Sequence, residues 1–389
     1  MSRILLAWEL GDGLGHVTRI LKIAQKLASL GHDCMVVCRD IEGAGQHVQK
    51  AGFDVIAAPE TKIELSSANN LPPSSAGDIL GFIGFTEPNR LGPLVRAWDA
   101  LVRRLDPDLV ILDYAPTARL AIGPSRSVIV IGDGFTTPPA VEGRFPKFRP
   151  APLLVDEAKI METIHTVQAE YGGWCPGILP ELFEGDRTFI ITLPELDSFA
   201  KTRKQKAVGP LLTLPKPVED TPTVDYFAYL SATAKGINKT LTALNGSGLK
   251  GSIFLRDSSQ KGREYLLKRN FTVHEGPQDM AQMAAMSRMV IHHGGVGTCE
   301  TLLGLGRPQF IFPRHVEQRL NAKILVASGI ADSIPSIEDV NLSEAHAKMQ
   351  KVAHDDALAQ RARNIGKGLA ARPHASLDTI VANCIELLP

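Results

Sequence analysis

Short, continuous apolar runs punctuate the first half of the chain. RILLAWE (3–9), CMVVC (34–38), FDVIA (53–57), LVILD (109–113) and SVIVI (127–131) predict strands buried on both faces. Between the first two, Val17, Ile20, Leu21, Ala24, Leu27 and Ala28 recur at helical spacing, so residues 16–30 predict an amphipathic helix. Such alternation predicts a parallel sheet covered by helices. It breaks over residues 205–225, where AVGPLLTLPKPVEDTPTVD is rich in Pro and Thr and reads as an extended linker. It restarts with YFAYLS (226–231), SIFLR (252–256), FTVH (271–274), MVIHH (289–293) and QFIFP (309–313). The expected fold class is α/β, with two doubly wound domains facing across a cleft. Their expected bounds are 1–210, a linker over 211–225, 226–370, and a last helix over 371–389 packing back on the first domain. Ligands in such sheets bind beyond the carboxyl ends of the strands.

Composition narrows the partners. Lys plus Arg and Asp plus Glu both number 42 in 389 residues, so the formal net charge is zero and no global field holds nucleic acid. Any anionic ligand must be held locally. Five cysteines show no zinc-like spacing, and a reduced, cytoplasmic protein without a metal is expected. The first residues lack the pattern of a secretory signal, and no run approaches the ~20 apolar residues of a membrane span. Peripheral membrane contact stays open, as does the choice between monomer and homodimer.

Two glycine-rich turns carry the candidate chemistry. After the strand ending at His292, Gly294, Gly295 and Gly297 allow a tight turn, and Thr298 opens a helix through Leu305. Free amides and the helix dipole make an anion site there, to which His293 can add a donor or a positive charge. His292 points to the opposite face of its strand. After the first strand, Gly11, Gly13 and Gly15 precede His16. A dinucleotide fingerprint, with Asp40 on a ribose, competes for this turn, but the spacing is G-x-G-x-G and His16 falls where a pyrophosphate would lie. Asp106-Pro107-Asp108 reads as a turn, and His354-Asp355-Asp356 as a helix junction. Residues 79–94 and 133–151, apolar but broken by Pro and Gly, read as long loops shaping a binding pocket. Phe82, Phe85, Phe135 and Trp174 are its candidate apolar walls.

The turn after His292 and the residues that follow it resemble the donor signature of family 1 glycosyltransferases, which have the GT-B fold of two Rossmann-like domains. His293, Gly295, Thr298, Gly306, Pro308, Pro313, Glu317, Gln318, Asn321 and Ala322 occupy its positions in order. Pro277-Gln278 stands where the family keeps a Pro-Gln beside the base, and Val208-Gly209-Pro210-Leu211 matches its entry to the linker. The resemblance implies that His293, Gly294, Gly295, Val296, Gly297 and Thr298 hold a diphosphate, with Ser231 near the phosphates. Glu317 and Gln318 would bind donor-sugar hydroxyls, and Gly13 and Gly15 would also serve the donor. It further implies that His16 is the catalytic base, oriented by Asp113, whose competing reading is an N-cap for residues 116–122. The activity implied is inverting, metal-independent transfer of a hexose-type sugar from a UDP- or dTDP-sugar to a hydroxyl of a small apolar or lipid-like acceptor. The nucleotide-sugar is a co-substrate, and no cofactor is called for. Thr301 stands where many members have the ribose-binding Glu, with Glu300 one residue early, which leaves the base open. Arg19 replaces a common Pro, a form shared with nucleotide-sugar hydrolases. A hydrolase and a catalytically inactive partner protein are the alternatives.

Overall fold

The computed structural model describes residues 1–60 and 71–389. They form two compact units, Met1–Leu211 with Ala375–Pro389, and Leu212–His374.

The first unit holds a parallel sheet of β1 (Arg3–Trp8), β2 (Asp33–Cys38), β3 (Val55–Ala57), β4 (Leu109–Asp113), β5 (Ser127–Gly132) and β6 (Arg187–Ile190), in the order β3-β2-β1-β4-β5-β6. The middle strands are apolar on both sides because helices cover both faces. Ile4, Leu6, Ile111 and Ile129 pack on one side, and Leu5, Val110, Leu112 and Val130 on the other. The helix Leu14–Ser29 lays Val17, Ile20, Ile23, Ala24 and Leu27 on the first side. The helix Ser376–Glu386 joins the same cluster through Ile380, Val381 and Cys384. Its Ser376 Oγ donates to Val208 O at 2.6 Å.

The stretch 79–94 is not a loop. It runs through Ala76–Leu80, a π-helical turn Gly81–Phe85 and the helix Pro88–Leu105. Pro88 opens that helix at its first position, where the missing N–H costs nothing. Leu91, Val95, Trp98 and Val102, at spacings of three and four, bury its inner face. The glycines and prolines that suggest a loop mark the kink at Gly84 and the helix start.

The second unit repeats the topology with β7 (Val224–Ser231), β8 (Gly251–Arg256), β9 (Thr272–Val273), β10 (Ser287–His292), β11 (Gln309–Ile311) and β12 (Ala331–Ser333), ordered β12-β11-β10-β7-β8-β9. Residues 212–223 are irregular and bound to this unit: Val218 N donates to Leu305 O and Thr223 N to Met286 O. Asp355 ends Leu342–His354 and caps Asp356–Ala370 by accepting from Leu358 N at 2.8 Å, the helix junction that the sequence suggests. In each sheet the strand order reverses between the first and fourth strands of the unit, the switch point where such sheets place ligands.

Candidate active site

In the first unit, register pairs Trp8 of β1 with Asp113 of β4, so both strands finish at the switch point. The chain turns through Gly11 and Gly13 into the helix that carries His16. His16 Nδ1 lies 2.9 Å from Asp113 Oδ1, and both residues are buried. An ionised carboxylate only accepts, so Nδ1 carries the proton and Nε2 presents a lone pair. Trp8 and Tyr114 stack on either side of the ring, at 5.1 and 6.2 Å between centroids. Gly11 has a φ of +87°, and a Cβ built there would sit 2.6 Å from His16 Nε2. A glycine there keeps that nitrogen uncovered.

Arg19, one turn along the helix, donates from Nε to Asp113 Oδ2 at 3.0 Å and reaches Asp133 Oδ2 at 3.5 Å. Burial alone would raise the Asp113 pKa, but the Arg19 guanidinium and the His16 ring outweigh it and hold the carboxyl below its ordinary value. Asp133 uses its other oxygen to accept from Phe135 N and Thr136 N. Two carboxylates and one guanidinium leave this buried group one negative charge in excess. A proton on His16 would balance it.

Asp113 does not cap residues 116–122. Glu9 does: its Oε2 accepts from Thr117 N at 3.0 Å and Ala118 N at 3.2 Å. Burial pushes the Glu9 pKa up to about 7, against the pull of these hydrogen bonds.

In the second unit, Ser231 ends β7 and His292 ends β10, again at the switch point. The turn is clamped from both sides. Gly294 N donates to His292 Nδ1 at 3.0 Å, and Asn321 Nδ2 donates to Gly294 O at 2.9 Å. His292 Nε2 in turn donates to Gln309 Oε1, and burial pushes its pKa down to about 3, so it is a neutral bracket. Gly294 has a φ of +90°, and a Cβ there would lie 2.9 Å from Ile311 Cγ2 and 3.2 Å from Gln318 O. The helix Val296–Leu305 follows, and its N-cap Gly295 has no side chain to satisfy its first amides.

His293 differs from expectation. Its Nδ1–H donates to Phe312 O at 2.9 Å, and its Nε2 accepts from Ser231 N at 3.0 Å. Burial pushes its pKa down to about 4. As arranged, the ring is neutral, with no donor left and no positive charge. Ser231 Oγ contacts Thr233 Oγ1 and donates to Asp257 Oδ2.

The comparisons bear on this pair of sites. Residues 277–387 match the family model for the C-terminal domain of erythromycin biosynthesis protein CIII-like proteins. The calicheamicin glycosyltransferase CalG4 superposes with a TM-score of 0.70 at 17% identity, covering 99% of this chain and 98% of that one. The glycosyltransferase VinC, solved with dTDP, gives 0.66 at 14%, covering 99% of both chains. SnogD of Streptomyces nogalater gives 0.62 at 18%, also covering 99% of both. The chain has the GT-B fold of these glycosyltransferases, and residues 277–387 are similar in sequence to the EryCIII-like C-terminal domain. A search of curated protein sequences finds no match.

The matched stretch begins at the exposed Pro277 and half-buried Gln278, just beyond the carboxyl end of β9. It contains the clamped turn, with Gly297 and Thr298 in the first turn of its helix. Glu317 opens the helix Val316–Ala327, and Gln318 is buried there, its Oε1 accepting from Arg314 N. Glu300 is buried in the neighbouring helix, while Thr301 Oγ1 donates back to Gly297 O.

In the first GT-B unit, Phe135 meets edge-on, at 6.5 Å, the Tyr114 ring that stacks on His16. The other aromatic candidates do not gather there. Phe85 is 1% exposed and belongs to the core. Trp174 lies under Arg119 and against Gly123, at the end of the helix Pro116–Ile122 remote from Asp113. Phe82 is half-buried within the π-helical turn Gly81–Phe85. Gly13 and Gly15 flank the start of the His16 helix, with nothing within 4 Å of a Cβ at either. Sequence reasoning missed Trp8, Tyr114 and Asp133, which are near the strand ends in sequence but carry no motif of their own. Among the described residues, no cluster of His, Cys, Asp or Glu is arranged to hold a metal ion, and no helix is long and apolar enough to cross a membrane.

Proposed function

We propose that the protein transfers a hexose-type sugar from a nucleoside-diphosphate donor to a hydroxyl of a small, apolar acceptor, with inversion and without a metal. The observation that carries this is the His16–Asp113 pair at the first switch point of a GT-B chain. The first unit binds the acceptor and the second the donor. His16 Nε2 takes the acceptor proton as the oxygen attacks the anomeric carbon. Asp113 holds the ring, and the excess negative charge around Arg19 stabilises the imidazolium. The diphosphate leaves into the amides of residues 296–298, whose dipole meets the developing charge. A single displacement inverts the anomeric carbon. Glu317 and Gln318 address the sugar, and Pro277 and Gln278 the base.

For the base, thymine is the better choice. VinC and SsfS6 were each solved with thymidine diphosphate. Thr301, back-bonded within its helix, offers no carboxylate to a ribose 2′-hydroxyl.

The test mixes the protein with dTDP-glucose or UDP-glucose and a panel of apolar alcohols and phenols, with and without EDTA. Expected is a glycosylated product and free dTDP, unaffected by EDTA. Release of nucleotide at the same rate without any acceptor would replace transfer by hydrolysis. Binding without turnover across the panel would favour the inactive partner.

A further inference from the structure

We infer that donor binding by the second unit takes up one proton from solvent, onto His293 Nε2. The inference rests on the reading of residues 293–298 as the diphosphate site.

Hydrogen-bond donors and acceptors fix the state of the ring. Phe312 O can only accept, so Nδ1 of His293 carries a hydrogen. Ser231 N–H can only donate, so Nε2 presents a lone pair. The ring and the Ser231 amide therefore satisfy one another without a ligand. The glycine turn beside them is uncrowded: a Cβ at Gly295 or Gly297 would meet nothing within 4 Å.

A phosphate oxygen brings only acceptors. It can draw on the amides of the helix start, but it gains nothing from a lone pair on Nε2. If it takes the Ser231 N–H, it strands that lone pair in a buried place. A proton on Nε2 resolves both problems. The imidazolium keeps Nδ1–H on Phe312 O and donates Nε2–H to the phosphate, a charge-assisted bond.

The surrounding charges explain why the ring is neutral until then. Arg256 at the end of β8, and Arg314 and His315 after β11, oppose a positive charge on His293, as burial does. His292 on β10 is neutral. Asp257 faces the other way in sign, but it is engaged by Arg256 and by Ser231 Oγ. Glu300 and Glu317 lie on the two helices that follow, in the segments Val296–Leu305 and Val316–Ala327. A diphosphate adds two negative charges and tips this balance toward the imidazolium.

By linkage, a ligand that binds with a proton binds more tightly at low pH. From a free-state value of about 4, affinity should fall as pH rises through the range above it, by up to about tenfold per pH unit.

Calorimetric titration of the full chain with dTDP-glucose, between pH 5.5 and 8, tests this in paired buffers of low and high ionisation enthalpy. The phosphates of this donor do not titrate in that range, so any proton taken up belongs to the protein. Expected is uptake approaching one proton at the lower pH values. His293→Gln, whose side-chain amide can donate without a proton, should bind with buffer-independent heat and a flattened pH profile. Wild-type binding whose heat does not depend on buffer would overturn the inference and leave the donor site standing. Uptake that persists in His293→Gln would assign the proton elsewhere and overturn it too. If neither dTDP-glucose nor UDP-glucose binds, the donor-site reading fails and the inference falls with it. Should the variant not fold, ¹⁵N-histidine spectra of the wild type serve instead: one of the eleven rings should change from neutral to doubly protonated on adding donor, and an unchanged set would refute the idea.

Discussion

Replacing Glu9 by glutamine should stabilise the first unit at pH 8 and leave it nearly unchanged at pH 4.5. Glu9 is 6% exposed, so solvent barely screens it. Burial raises its pKa from 4.5 to about 7, and the amides of Thr117 and Ala118 only partly offset that. A raised folded-state value means a contribution that is complete below the unfolded value and lost as pH climbs through about 7. The gap between 4.5 and about 7, at about 1.4 kcal/mol per pH unit, is on the order of 3 kcal/mol. Glutamine keeps a carbonyl oxygen for the two amides and cannot ionise. The difference between variant and wild type should therefore grow toward that size between pH 4.5 and 8. His292 and His293 act in the opposite sense: their lowered values remove stability as pH falls below 6.5. They belong to the second unit, however, and Trp8, Trp98 and Trp174 are the chain's three tryptophans, all in the first. Urea unfolding followed by tryptophan fluorescence at several pH values thus reads the unit that holds Glu9. A difference that stays constant across this range would refute the reasoning.

His16→Gln should keep nucleotide affinity and slow turnover by ~10²–10⁴-fold, read from steady-state rates beside calorimetry. Arg19→Met leaves Asp113 and Asp133 without their shared cation and should cost the first unit about 3–5 kcal/mol, visible in the tryptophan-monitored urea midpoint. Gly11→Ala puts a methyl against His16 Nε2 at an unfavourable φ, so turnover should drop while dTDP affinity, held in the other unit, stays level. Gly294→Ala should do the reverse: it crowds Ile311 and Gln318, and calorimetry should show weakened dTDP binding.

Much of the frame was legible because it rests on local pattern. LVILD and SVIVI are strands since runs of that length and composition can be buried on both faces of a sheet. RTFI (187–190) and ADS (331–333) carry too little apolar signal, and pairing with β5 and β11 makes them strands. In 79–94, Gly and Pro outweighed the helical spacing of Leu91, Val95, Trp98 and Val102. That His16 and Asp113 meet was legible because the turn after β1 and the end of β4 share one edge of a parallel sheet. The state of His293 was not, because it is set by Phe312 O and Ser231 N, partners 19 and 62 residues away. Likewise nothing near Glu9 in sequence shows that it, and not Asp113, caps residues 116–122.

The chain leaves the first unit at Leu211 and re-enters it at Ala375. During synthesis, the sheet that presents His16 is made before the second unit, but the helix that closes one of its faces emerges after it. Until then Ile20, Ile23 and Leu27 lack the neighbours supplied by Ile380, Val381 and Cys384. A hybrid that exchanged the two units at a single junction near residue 211 would give each first unit a foreign closing helix. Exchanging the first unit intact needs two crossovers, with residues 375–389 travelling alongside 1–211.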